Sequence, residues 1–188
     1  MDGDAPSRFK GDAENPVEQV SWGDVVTTFL PRVNALLPGL DLRLPTEAEW
    51  EYACRADAEP RSPFWFGQHI HSEQVNFDGN NPLPKGKESA HREHTVPVKA
   101  LPCNGWGLYQ MHGNVWEWCA DWIAPYPALD LALHPAGPSE APVKQVWRVL
   151  RGGSWISDAR SCRSANRGAD DPDIRTGDFG FRLARGAS

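Results

Sequence analysis

The chain has 188 residues, 40% of them hydrophobic, which is enough for one buried core and too few for two. Its net charge of -6 gives no general attraction to phosphate backbones, so nucleic acid and anionic membrane surfaces are excluded as expected partners. The opening residues MDGDAPSRFKGDAEN hold no apolar run, and nowhere do about eighteen apolar residues run together, so neither a signal peptide nor a spanning helix is expected, and the expected location is cytoplasmic.

With 17 Gly, 17 Pro and 9 Trp the composition reads as a loop-rich globule with an aromatic interior. The four cysteines, Cys54, Cys103, Cys119 and Cys162, form no C-x-x-C and have no histidines at zinc-finger spacing, so they are expected as free thiols. His69 and His71 read as a surface pair. Charge is uneven: from Trp147 onward there are eight Arg, no Lys and five Asp, a balance of +3 that leaves -9 on the residues before. Arg–Asp pairs are expected to brace this C-terminal stretch.

The first predicted element is a helix in SWGDVVTTFLPRVNALLPG, where Ser21 and Asp24 resemble a capping box and Val25, Phe29, Val33 and Leu36 fall on one face. Pro31 is expected to kink or split it near Leu30, and Gly39 to end it. A second helix opens at Thr46, with Glu49 completing the capping box, and turns Trp50, Ala53 and Cys54 toward the core. Cys54 is thus a small core hydrophobe rather than a nucleophile. Residues 60–102 break into short apolar pieces between turns. A Trp- and Gly-rich segment follows, then a Pro-rich loop over 125–142, a predicted strand in WRVLRGGSW and a last strand in GFRLAR.

RLPTEAEWEYACR (43–55), GLYQMHGNVWEWCADW (107–122), RVLRGGSW (148–155) and GFRLAR (180–185) stand in the order and spacing of the formylglycine-generating-enzyme and sulfatase-modifying-factor family, which the chain resembles from Asn15 to Arg185. The resemblance implies an α+β chain with an irregular, loop-rich C-type-lectin-like fold, two helices and a small twisted antiparallel sheet. It sets residues 15–188 apart as the domain. Residues 1–14 would be the remnant of an N-terminal part, either lost or supplied by another chain.

The family's founding activity oxidises a sulfatase cysteine with copper and two cysteines five residues apart, thiolates suited to a soft metal. Here those positions fall on Ala159 and Ser164, with Cys162 two residues off, so neither formylglycine chemistry nor copper is expected. A pyoverdine-maturation branch lacks the cysteine pair and is the enzyme alternative. The resemblance also implies a structural calcium ion held by the Gln110 side chain, the Gly113 and Val115 carbonyls and the Glu117 carboxylate, oxygen ligands suited to a hard cation. A second family site would use Asn76 and the Phe77 and Arg92 carbonyls, but its acidic ligand falls on Ala90.

Residues 156–188 contain no Lys, Glu, Gln, Met or Trp, types that fill 32 of the 155 preceding positions, so about seven would be expected. No codon ending in a pyrimidine encodes these five. The segment therefore resembles the variable region of diversity-generating-retroelement proteins, which display binding surfaces on this fold. The implied exchangeable, ligand-binding positions are Ile156, Ser157, Asp158, Ser161, Cys162, Asn166, Gly168, Ala169, Asp170, Asp171, Asp173, Ile174, Thr176, Gly177, Asp178 and Phe179. Ile156, Ile174 and Phe179 are expected to be exposed and to form a recognition patch for a protein or other macromolecular ligand.

Overall fold

Ser21 and Asp24 close a reciprocal cap, each side chain accepting the other's backbone N–H at 3.0 Å, and a helix grows from them. In the computed structural model, which describes residues 6–126, 137–138, 140–141 and 146–186, its first stretch, Asp24–Phe29, is wound as a π-helix. It continues as α1, Leu30–Leu36, with Pro31 in the first turn. Proline lacks the N–H that a regular helix would use, and the wider turn, in which the Leu30 N–H reaches back to the Val25 carbonyl, accommodates it without a break. The buried face changes accordingly. Val25 and Leu30, five apart, enter the core, while Phe29 is 37% and Leu36 79% exposed, which corrects the regular helical face read from the sequence.

After the short strand β1 (Leu42–Arg43), the second helix, α2 (Glu47–Arg55), carries the expected Thr46–Glu49 box. Trp50 and Cys54 are fully buried, and Ala53 packs against the same cluster.

The central sheet has four strands in the order β4-β3-β2-β5: β2 (Trp116–Trp122), β3 (Arg148–Arg151), β4 (Gly168–Asp170) and β5 (Phe179–Phe181). The pairs β2–β3 and β3–β4 are antiparallel. β5, reached from β4 through residues 171–178, crosses the sheet to lie beside β2 in parallel. β6 (Ala184–Arg185) pairs with β1, so GFRLAR is split between two sheets.

β2 organises two cores by its alternation. Trp118, with Trp116 and Ala120, packs on the first helix with Val20, Val25, Leu30 and Leu150. Cys119 faces the other way, toward Trp50, Cys54, Met111 and Val149. A third cluster, Phe64, Ile70, Val75, Phe77, Ala159 and Cys162, fills the space beneath the loops. Arg148 is clasped between the rings of Trp22 and Trp122, at 3.7 and 3.4 Å from their centroids.

Most of the Pro-rich loop over 125–142 lies outside the described residues. Among those described, no helix is long and apolar enough to cross a membrane.

Candidate functional site

Ala159 and Ser164, which the sequence resemblance sets at the positions of the family's thiols, are both buried. Ala159 belongs to the third hydrophobic cluster. The Ser164 hydroxyl donates to the Pro63 carbonyl at 3.1 Å and accepts from the Cys54 thiol at 3.6 Å. Cys54 also lies 3.8 Å from both ring nitrogens of His112, a residue for which the sequence gives no expectation. A cysteine beside a histidine can form a reactive pair, but this one is satisfied otherwise. His112 Nδ1 meets the Cys162 carbonyl at 2.7 Å as donor, and Nε2 accepts the Trp65 N–H at 3.2 Å. Burial holds the His112 imidazole down at about 4 and pushes the Cys54 thiol up to about 12. The Cys162 and Cys119 thiols are raised by burial as well. At neutral pH the centre holds a neutral imidazole and protonated thiols.

The segment after Trp155 is tied down at many points. Trp155 donates its indole N–H to the Gly177 carbonyl at 3.0 Å and stacks edge-on against Phe9. The Ser154 hydroxyl donates to Asp178 Oδ2 at 3.0 Å and the Thr176 hydroxyl to Oδ1 at 2.6 Å, so both Asp178 oxygens are engaged. Ser157 accepts the Ser154 N–H through its hydroxyl at 3.0 Å and the Asp78 N–H through its carbonyl at 2.9 Å. Asp158 caps the Ser161 N–H at 2.8 Å. Arg175 forms a two-pronged pair with Asp24, both contacts 2.7 Å, which holds the Asp24 carboxyl down at about 2.

Of the sixteen expected display positions, Ile156, Asp171, Asp173 and Ile174 are exposed. Ser157, Asp158, Ser161, Asn166, Gly168, Ala169, Asp170, Thr176, Gly177 and Asp178 are half-buried. Two need correction. Cys162 is fully buried in the third cluster, and Phe179 sits in β5 against Trp118, ring centroids 5.4 Å apart. Gly168 is hemmed in as well: a Cβ there would lie 2.9 Å from the Trp116 ring.

The C-terminal arginines pair mainly with acids from earlier in the chain rather than with their own neighbouring Asp residues. Arg151, fully buried, contacts Glu47 and Glu51. Arg167 grips Glu47 through two contacts of 2.6 Å. Arg182 pairs with Glu117, its Nη2 reaching Oε1 at 2.6 Å. The surplus of +3 from Trp147 onward thus meets the -9 that precedes it.

Of the residues implied for calcium, Gln110, Val115 and Glu117 line a cavity of about 270 Å³ together with Arg182, and Gly113 is not part of its lining. Gln110 Oε1 is buried with no donor, as an oxygen ligand awaiting a cation would be. Glu117 Oε2 already accepts from Trp50 Nε1 at 2.6 Å and from Arg182, while Oε1 keeps a lone pair beyond Arg182. The oxygens are of the type that a hard cation takes, and Arg182 already engages both oxygens of the Glu117 carboxylate. The second set does not fit. Asn76 Oδ1 is also buried without a donor, but His94 Nδ1 contacts the Arg92 carbonyl and Ala90 supplies no charge.

The Sulfatase-modifying factor enzyme 1-like domain family matches residues 2–187. The formylglycine-generating enzyme of Streptomyces coelicolor is 37% identical over 97% of this chain and 56% of its own length, so the chain spans about half of that relative. Treponema denticola variable protein 1 superposes with a TM-score of 0.75 at 25% identity, covering 97% of this chain and 78% of that one. PvdO from Pseudomonas aeruginosa gives 0.70 at 26%, over 95% and 64%. With the motifs in register and the core they build in place, the chain belongs to the sulfatase-modifying factor family, on the fold shared with formylglycine-generating enzymes.

Proposed function

We propose that this chain is a non-catalytic ligand-binding protein, which uses the family scaffold to display a diversified C-terminal surface to a protein or other macromolecular ligand. The observation that carries the reading is the pair Ala159 and Ser164: where the family's oxidation needs two thiolates, this chain has a packed methyl and a hydrogen-bonded hydroxyl. Beside them Cys54 is too deeply protonated to stand in. The likeness to a variable protein supports display, with Ile156 and Ile174 as apolar anchors among short polar side chains. Copper has no place in this reading. Calcium has a structural one: Gln110, Gly113, Val115 and Glu117 would hold it and tie the turn before β2 to the sheet. The net charge of -6 argues against nucleic acid and anionic membrane as the partner.

Sequencing the DNA around the gene tests the diversification. The reading expects a reverse-transcriptase gene and a near-identical template repeat, mismatched only at template adenines. A locus with neither would overturn diversification and favour an enzyme related to PvdO.

A further inference from the structure

Away from the display segment, two large aromatic side chains stand in water. Tyr52, on the outer face of α2, is 69% exposed, and Trp106, in the turn before β2, is 43% exposed. Their ring centroids are 5.0 Å apart at 68°, so the rings form a fixed open corner.

The turn that carries Trp106 is locked from below. Asn104, 3% exposed, accepts the N–H groups of Trp106 at 3.1 Å and Leu108 at 3.0 Å, and donates to the Ala53 carbonyl at 2.7 Å. Gly105 lets Asp57 approach closely, since a Cβ there would lie 2.8 Å from Asp57 Oδ2 and would turn that carboxylate aside. Asp57 in turn accepts the Trp106 indole N–H at 3.3 Å. Its carboxylate has no Lys, Arg or His paired with it among the described residues.

A buried amide therefore holds a tryptophan out of the core, beside a tyrosine and an uncompensated carboxylate. Ring faces attract a cation through their quadrupole, and a nearby carboxylate adds charge and a hydrogen-bond acceptor. We propose that the Tyr52–Trp106–Asp57 corner is a binding site for the cationic side chain of a peptide or protein partner: lysine, methylated lysine or arginine. The alkyl stem lies on the rings and the charged head reaches Asp57. None of the three belongs to the diversified segment, so this recognition is constant where the other surface varies.

The test follows the Trp106 indole N–H by NMR in ¹⁵N-labelled protein, its resonance assigned with Trp106→Phe. The probe is a short blocked peptide carrying trimethyllysine, and the control is the same peptide with norleucine. The trimethyllysine peptide should shift the resonance and saturate at millimolar concentration, and the norleucine peptide should not. Asp57→Asn and Tyr52→Leu should each weaken binding about threefold to tenfold with an unchanged melting temperature. No shift, an equal shift with norleucine, or full affinity in Asp57→Asn would overturn the proposal.

Discussion

The β2–β3 pair and the segment that follows Trp155 are held in the same fold by different means. Around β2, stability comes from large apolar side chains: Trp118 and Trp50 are fully buried. After Trp155 three buried apolar anchors, Ala159, Cys162 and Phe179, are joined by short polar side chains and backbone, with Ser154, Thr176, Asp178 and the Asp24–Arg175 pair pinning the chain at intervals. A surface held by its backbone and a few fixed polar posts can change the side chains between the posts without losing buried apolar area. The contrast also separates the sixteen expected display positions into posts and free sites.

The largest expected effect is in the sheet. Trp118→Ala removes a buried indole and its hydrogen bond to the Val20 carbonyl, and should cost about 3–5 kcal/mol in chemical denaturation. Next come the posts. Asp178→Ala leaves the Ser154 and Thr176 hydroxyls without their acceptor and should cost about 1–2 kcal/mol; a neutral result would return Asp178 to the free set.

The Asp24–Arg175 pair should show as pH dependence. With the carboxyl at about 2 when folded and about 3.9 when unfolded, its contribution is present above about pH 4 and is lost as pH falls toward about 2. Arg175 is half-exposed, so Arg175→Ala should cost about 1 kcal/mol at neutral pH and flatten the acid limb of the stability curve. Smallest of all, Ile156→Ser and Ile174→Ser should move stability by within about 0.5 kcal/mol. If either costs as much as Asp178→Ala, the side chain is part of the scaffold.

The sequence carried much of this architecture where one rule governs one element. The Thr46–Glu49 box and the inward Trp50 and Cys54 follow from a single helical period. The first helix departs from that period because Pro31 selects a wider turn, which a regular face cannot represent. β2 is not among the predicted elements: the alternation in W-E-W-C-A-D-W divides the two cores, but the density of Trp and Gly around it masks the strand. The ion pairs are half legible. The charge imbalance shows that the C-terminal arginines need acids, yet Glu47, Glu51 and Glu117 lie far earlier in the chain, and only the fold pairs them. Cys162 and Phe179 show the limit of compositional reading: codon spectrum says which residue types can stand at a position, and burial decides whether they can be exchanged. His112 gives no signal, because its ring is satisfied by two backbone groups that arrive from distant loops.

The central claim is that the scaffold persists without the family's oxidation. Purified protein, with and without added copper, is incubated with a C-x-P-x-R peptide, and any aldehyde is trapped with a hydrazide and detected by mass spectrometry. With Ala159 and Ser164 at the thiol positions and Cys54 protonated, no aldehyde adduct should form. A copper-stimulated adduct that accumulates with repeated turnover would contradict the account.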